Sequence, residues 1–288
     1  MLFDGHAHID SEEFKGRVED VVNECNVIVF NASVDFDSSI KTLELASRID
    51  NLFPALGFHP EFVEKSNEVP KVLDLLDFAL EVSEVGLDYY WIKDRNLMMK
   101  EIEILKNFLE QAEKRNLPVV LHSRGGNRDL LDLLPSYKVR FAIHAFEGST
   151  KHAKAFVDLG GYISVPPIVV RDKVRAEAVK AVDLAYLLTE TDSPFMGSEK
   201  GEINRPCNVI KAIQKIAEIK GMKTEDVEAE IEKNAKRFLG VSDWFELREK
   251  KREKIENYLI HKEIGLITCV PQSAEARSGR TGSKQRSL

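Results

Sequence analysis

The sequence predicts an α/β protein, a TIM-type (β/α)8 barrel with extra C-terminal helices. Short runs rich in β-branched and aromatic residues alternate with stretches of helical periodicity, which is the pattern of repeated βα units. There are eight such runs, and eight parallel strands close a barrel. The chain has 288 residues, 43% of them hydrophobic, and is long enough to bury one core of this size.

The strands are expected to lie within a few residues of the eight β-rich runs. These runs are Leu2–Ile9, Val27–Ser33, Leu52–Phe58, Ala79–Leu87, Pro118–Ser123, Arg140–Phe146, Gly161–Val165 and Ala185–Thr191.

Segments of helical periodicity link the strands. Apolar residues recur every three or four positions in Phe14–Cys25 and Met98–Ala112, so each segment has one apolar face that can cover the outside of the sheet. Ser149 is placed to cap a helix that ends at Gly160–Gly161, just before the seventh strand.

The C-terminal region contains further helices and a tail. Thr224–Leu239 is the clearest helix, and the heavily charged segment Asp243–His261 is expected to be a solvated terminal helix. We expect residues 1–262 to form one barrel domain. Residues 263–288, polar and rich in Ser, Gly and Arg from about Pro271, are expected to be a disordered tail.

The net charge and the cysteine content argue against several classes of protein. A formal net charge of −7 argues against a general electrostatic grip on nucleic acid, so any such contact must be local. Cys25, Cys207 and Cys269 are an odd number without CxxC spacing, which suggests neither a disulfide framework nor a thiolate zinc site and fits a reducing cytoplasm. No stretch reaches the roughly 18 apolar residues of a membrane span. We expect a cytoplasmic protein without an obligate protein partner.

Two histidines on the first predicted strand are the first sign of a metal site. His6 and His8 are two residues apart, so their side chains point to the same face of the strand. An isolated pair of this kind is a weak signal, and its meaning depends on the residues that the fold brings beside it.

Four further groups lie on later predicted strand ends, where a barrel forms its active site. They are Glu84, His122, His144 and Asp192, and His59 follows the third strand. Each alone is explained by a hydrogen-bonded core histidine or by a helix-capping carboxylate. Six imidazole and carboxylate groups gathered at one barrel mouth are harder to explain in this way, because buried charged groups need either oppositely charged partners or a bound metal ion.

These six ligand groups predict two divalent ions. Imidazole and carboxylate without thiolate suit Zn²⁺, Mn²⁺ or Mg²⁺. Six ligands exceed what one zinc ion needs, whereas two ions about 3.5–4 Å apart, bridged by Glu84, would use them all and could activate a water molecule.

The chain resembles the TatD-type deoxyribonuclease family of metal-dependent hydrolases over about residues 1–240. The motifs that carry the resemblance are, in order, FDGHAHID, ALGFHPE, EVGLDYYW, LPVVLHSR, IHAFEG, TETDSPF, NRP and EKNAKRFLG. The resemblance implies hydrolysis of phosphodiester bonds in DNA, often from the 3′ end.

The resemblance also implies a role for each matching residue. One ion would be held by His6, His8, Glu84 and Asp192, and the other by Glu84, His122 and His144. Asp192 would take the proton from the attacking water, which requires it to lie within hydrogen-bond reach of that water. His59 would contact the scissile phosphate, and the supporting or substrate-binding residues would be Asp88, Arg124, Asn204 and Arg205.

The sequence departs from the family pattern in substrate loops but not at the metal ligands. The family's usual Cys-Phe-Ser-Gly after the sixth strand is Ala145-Phe146-Glu147-Gly148 here, and Val165-Pro166-Pro167 replaces a serine–glycine stretch. Glu147 adds negative charge near the expected phosphate site.

Two alternatives remain open. A related barrel hydrolase could act on a small phosphoester, a lactone or a C–N bond. In such relatives a carbamylated lysine commonly bridges the metals at strand four, where this chain has Glu84 and the nearest lysine is Lys93. A non-catalytic binding protein with a structural metal is the other alternative, and its coordination shell would be closed to water.

Overall fold

The structure is a computed structural model that describes residues 1–267, and all eight predicted strands are present. The strands are β1 (Leu2–Ala7), β2 (Val27–Ala32), β3 (Leu52–Ala55), β4 (Val82–Asp88), β5 (Val119–Arg124), β6 (Phe141–Ile143), β7 (Tyr162–Val165) and β8 (Leu187–Thr189).

The strands form a closed parallel barrel. Neighbours in sequence pair in parallel from β1 to β3 and from β4 to β8. A bridge between Ala55 and Glu81 joins β3 to the start of β4. On the other side, the Thr189 hydroxyl donates to the carbonyl of Phe3 at 2.6 Å, which joins β8 to β1. The predicted (β/α)8 fold is therefore confirmed.

Helices cover the outside of the barrel. They are α1 (Val18–Val22), α2 (Phe36–Ala46), α3 (Val69–Leu75), α4 (Arg95–Arg115), α5 (Asn127–Leu133), α6 (Thr150–Asp158), α7 (Lys173–Ala181), α8 (Val209–Lys220), α9 (Thr224–Leu239) and α10 (Trp244–Glu263). As predicted, the Ser149 side chain caps α6 by accepting from the His152 amide. The Phe14–Cys25 segment is only partly helical: a 3-10 turn, Glu12–Phe14, ends at its first residue, and α1 covers only Val18–Val22.

Side chains fill the barrel interior and close its lower end. Phe30 and Phe53 stack within the barrel, and Phe3 stacks on Trp244 from the start of α10. Phe238 of α9 packs into the same cluster. Because the N-terminal end of the barrel is closed, the C-terminal ends of the strands form the accessible mouth.

Helix α10 is present as predicted, but it is not a solvated helix. Leu247 and Tyr258 are buried, and the Lys251 amine donates to the backbone carbonyls of Ile49 and Asp50. Long basic side chains can bury their aliphatic stems, so a helix that reads as charged in sequence can still have a packed face.

A disulfide is present, which the number and spacing of the cysteines did not indicate. Cys25 and Cys207 are bonded, with their Cα atoms 5.9 Å apart. They are 182 residues apart in sequence, and only closure of the barrel brings the segment after α1 beside the segment after β8. The cysteine count therefore does not support a reducing compartment.

Two further expectations concern the ends of the domain and the membrane. Most of the tail predicted to be disordered falls on residues 268–288, which lie outside the described residues. Within residues 1–267, no helix combines the length and the apolar composition that crossing a membrane requires.

Candidate metal centre

The residues predicted to bind metal converge at the barrel mouth, around the carboxylate of Glu84. The Nε2 atoms of His6 and His8 each lie 3.5 Å from Glu84 Oε2. Asp192 Oδ1 lies 3.8 and 3.5 Å from the same two nitrogens. These three groups surround one side of the Glu84 carboxylate.

The other Glu84 oxygen faces a second set of histidines. Glu84 Oε1 lies 2.7 Å from His122 Nδ1 and 3.2 Å from His59 Nε2. His144 Nε2 is 3.8 Å from the same oxygen and 3.9 Å from Asp192 Oδ1. The two oxygens of one carboxylate thus face different ligand groups, which is the arrangement required of a bridging ligand.

Most of these rings are oriented by a partner on the nitrogen that faces away from the cluster. His8 Nδ1 donates to the Ala32 carbonyl at 2.9 Å, so in the neutral ring the proton lies on Nδ1 and Nε2 can bind a metal. His6 Nδ1 pairs with Ser83 Oγ at 3.1 Å, and His144 Nδ1 faces Glu190 Oε1 at 3.1 Å. His122 Nε2 pairs with Asp88 Oδ2 at 2.9 Å. Such outer partners are typical of metal-binding histidines.

His59 lies among the candidate ligands, but in its neutral form the nitrogen that faces the cluster carries the proton. It caps the 3-10 segment Pro60–Glu68, and its Nδ1 accepts a hydrogen bond from the Glu61 amide at 3.1 Å. In neutral His59 the proton must therefore be on Nε2, which faces Glu84. A protonated nitrogen is a hydrogen-bond donor and not a metal ligand. This geometry favours the predicted phosphate contact.

Mutual electrostatics decide the charge states of the metal-free cluster. Burial opposes charge on His122, but its hydrogen bonds to Asp88 and Glu84 raise its pKa to about 10. Burial likewise opposes charge on His144, while Glu190 and Asp192 raise its pKa to about 8. Burial favours protonation of Glu84, yet the nearby His59 and His122 hold its pKa well below the usual value. The carboxylate is therefore ionised and able to bind cations.

The backbone presents Asp192 in a conformation that few residues adopt. Its φ is +54°, in the left-handed region that aspartate and asparagine tolerate better than most residues. Its amide donates to the His6 carbonyl at 2.8 Å and its carbonyl accepts from the Phe195 amide at 2.7 Å. These bonds on both sides hold the Asp192 side chain toward the histidines.

The comparisons with known proteins agree with this geometry. The model of the TatD related DNase family matches residues 3–240. The chain belongs to this family. As a TatD-family protein it is a metal-dependent hydrolase.

Individual relatives cover most of this TatD-family chain. The uncharacterized metal-dependent hydrolase MJ1582 of Methanocaldococcus jannaschii is 35% identical over 82% of this chain and 95% of its own length. The human deoxyribonuclease TATDN3 is 28% identical over 78% of this chain and 90% of its own length. The crystal structure of the TatD homologue YjjV from Escherichia coli is 25% identical, with a TM-score of 0.76 over 83% of this chain and 98% of its own.

The position of Glu84 differs from the sequence prediction. It was expected at the end of its strand, but it is the third residue of β4, which continues to Asp88. Strands β4 and β5 pair beyond the other strands, as far as Asp88 and Arg124. The mouth of this TatD-family barrel is therefore raised on one side.

Two supporting carboxylates were missed by sequence reasoning. Glu190 is fully buried, accepts from the Ala145 amide at 2.6 Å and faces His144. Asp4 is fully buried and accepts from both the amide and the hydroxyl of Thr191. An acidic residue inside an otherwise apolar strand, in FDGH and in TETD, was the available signal.

The predicted substrate residues are placed at different distances from the cluster. Asp88 contacts His122 directly, and Arg124 lies at the cleft beside it, over the ring of Tyr90. Asn204 is buried and its side-chain amide donates to the Thr191 carbonyl, so in this structure it positions the loop after β8. Arg205 pairs with Glu24 at 3.0 Å. A direct contact of Arg205 with phosphate stays a prediction.

Proposed function

We propose that this TatD-family chain is a two-metal phosphodiesterase that acts on DNA ends. The observation that carries the proposal is the Glu84 carboxylate, whose two oxygens face two different groups of ligand residues. The names of relatives, human deoxyribonuclease TATDN3 among them, support DNA as the substrate.

The donor set fits two divalent cations. Three sets of three residues each have ligand atoms within 4.8 Å of one another, and Glu84 belongs to two of the sets: they are His6, His144 and Asp192; His6, His8 and Glu84; and His59, Glu84 and His122. We leave His59 out of the ligands because the nitrogen that faces Glu84 carries its proton in the neutral ring. One ion would be held by His6, His8, Glu84 and Asp192, and the other by Glu84, His122 and His144. When bound, such ions lower the pKa of water and offset charge on a phosphate. Zn²⁺, Mn²⁺ and Mg²⁺ all remain candidates.

The chain's own residues would move the protons. Asp192 is ionised, because the positive charge of His144 and a hydrogen bond from His8 lower its pKa despite burial. It can therefore accept the proton of the attacking water. His59 Nε2–H would turn from Glu84 to a phosphate oxygen and stabilise the charge that develops there.

The direct test is cleavage of an end-labelled DNA oligonucleotide by metal-loaded protein, with Mg²⁺, Mn²⁺ and Zn²⁺ tested separately. Progressive shortening of the label-bearing strand would support the proposal, and the ladder of products separates exonuclease from endonuclease action. Absence of cleavage by protein with a confirmed content of two ions would overturn DNA as the substrate. Small phosphoesters and lactones would then be assayed.

Metal binding should release protons and strengthen as pH rises. At pH 7 the pKa values of His122, about 10, and His144, about 8, leave both rings charged in the metal-free protein. A metal requires the neutral ring, so binding must expel about two protons or more. The free-energy cost of removing these protons falls as pH rises through 8 toward 10, so the affinity of the protein for metal should rise over that range.

Titration calorimetry with Mn²⁺ in buffers of different ionisation enthalpy would count the released protons. The variant His261→Gln is a suitable control, because His261 lies on α10. Affinity that does not change between pH 6.5 and 9 would contradict the charged state of these rings.

A further inference from the structure

Two neighbouring aromatic side chains stand exposed beside the metal centre. Tyr90 and Trp91 follow β4 and are 51% and 53% exposed. Their rings are 4.8 Å apart and nearly perpendicular. About half of each side chain faces solvent, so packing in the core accounts for only part of the two rings.

One carboxylate connects this aromatic turn to the metal ligands. Asp88 Oδ1 accepts from the amides of Tyr90 and Trp91, each at 2.9 Å, while Asp88 Oδ2 pairs with His122. The Tyr89 amide donates to the Arg124 carbonyl at 2.8 Å, and the Tyr89 hydroxyl donates to Asp129 at 2.6 Å. The turn is thus fixed on both sides and directly adjoins the ligand His122.

Two cations flank the aromatic rings. The Arg124 guanidinium carbon lies 3.9 Å from the centre of the Tyr90 ring and 5.7 Å from that of Trp91. The Lys93 amine lies 5.5 Å from the Tyr90 ring. Tyr90, Lys93 and Arg124 line one cleft of about 560 Å³ together with the carboxylate-bearing Glu147, and Trp91 adjoins the cleft through its contact with Tyr90. A stacking surface beside positive charge matches the two parts of a nucleotide, its base and its phosphate.

We infer that Tyr90, Trp91 and Arg124 form a platform that stacks an unpaired nucleobase next to the scissile phosphate, and that Lys93 contacts the adjoining phosphate. This inference rests on the proposed phosphodiesterase function. Bases in a duplex are stacked on one another, so the platform selects single-stranded DNA or frayed ends. Only two cations take part, in keeping with the chain's net charge of −7. The dependence of binding on salt should therefore be shallow, with a slope of about −0.7 per phosphate contacted.

The kinetic test compares two single-stranded oligonucleotides that differ only in having a base or an abasic residue at the cleaved end. For Trp91→Ala, the ratio of kcat/KM on the base-bearing strand to kcat/KM on the abasic strand should fall by about 10- to 100-fold, as loss of one base–aromatic stack implies. Trp91→Phe should keep most of this ratio. The control Phe245→Ala removes an exposed aromatic residue of α10 and should leave the ratio unchanged. A ratio unaltered by Trp91→Ala would overturn the inference.

A binding test separates failure of the platform from failure of the proposed function. Trp91 is half exposed, whereas Trp244, the other tryptophan, is buried, so stacking should quench mainly the fluorescence of Trp91. A single-stranded oligonucleotide should quench the metal-free protein, and Trp91→Phe should abolish the quenching. If the wild-type protein cuts no DNA, quenching that depends on Trp91 still supports the platform. Absence of quenching overturns it.

Discussion

Replacing Asp192 with asparagine is expected to lower kcat on the DNA substrate by about 10²- to 10⁴-fold, the usual contribution of a general base. Asparagine keeps the shape of the side chain and tolerates the left-handed backbone found here, where φ is +54°. It cannot accept the proton of the attacking water. The fold should remain, because the backbone hydrogen bonds to His6 and Phe195 do not involve the side chain.

The matched control for this variant is Glu199→Gln. Glu199 lies exposed in the same loop, so its replacement removes one negative charge without touching the ligand cluster. Single-turnover rates and metal content should be measured for both proteins. Wild-type turnover in Asp192→Asn with full metal content would exclude Asp192 as the base.

The second large effect is expected from Glu84→Gln, which should release at least one of the two ions. Among residues 1–267, Glu84 is the only carboxylate whose two oxygens face both histidine groups. Loss of even an outer partner of a ligand lowers metal affinity about 10- to 100-fold, and loss of a bridging ligand should lower it by at least that factor. Turnover should fall with the second ion.

Metal content by plasma mass spectrometry, after dialysis against a fixed free Zn²⁺ concentration, measures this loss. Circular dichroism of both variants would verify that the barrel remains folded. Two tightly held ions in Glu84→Gln would reject the bridging role, and a protein that loses its metal but keeps its turnover would reject the two-metal mechanism.

The barrel and the convergence of the candidate ligands at its mouth could be predicted because local pattern determines the order of strands and helices. The alternation of β-rich and helical segments is a property of neighbouring residues, and closure of eight strands then brings His6, Glu84 and Asp192 to one mouth. The sequence motifs around these residues indicated the family, and the match of the TatD related DNase model to residues 3–240 confirms it.

Features that depend on distant contacts could not be predicted in the same way. The bond between Cys25 and Cys207 needs the closed barrel, and the packed face of α10 is hidden in sequence by its lysines and arginines. The tautomer of His59 depends on one backbone amide that only the 3-10 turn places. The exposure of Trp91 is likewise a tertiary property, because it depends on which other segments pack beside the turn after β4.

The Cys25–Cys207 bond makes the composition of a storage buffer relevant to the enzyme. Cys207 follows the segment of Asn204, whose amide donates to the Thr191 carbonyl immediately before Asp192. Protein purified with a thiol reductant and protein purified without one are therefore two chemical species that differ in how this loop is attached. Intact-mass measurement of each batch would identify the species present, so that rates from different laboratories are compared on the same molecule.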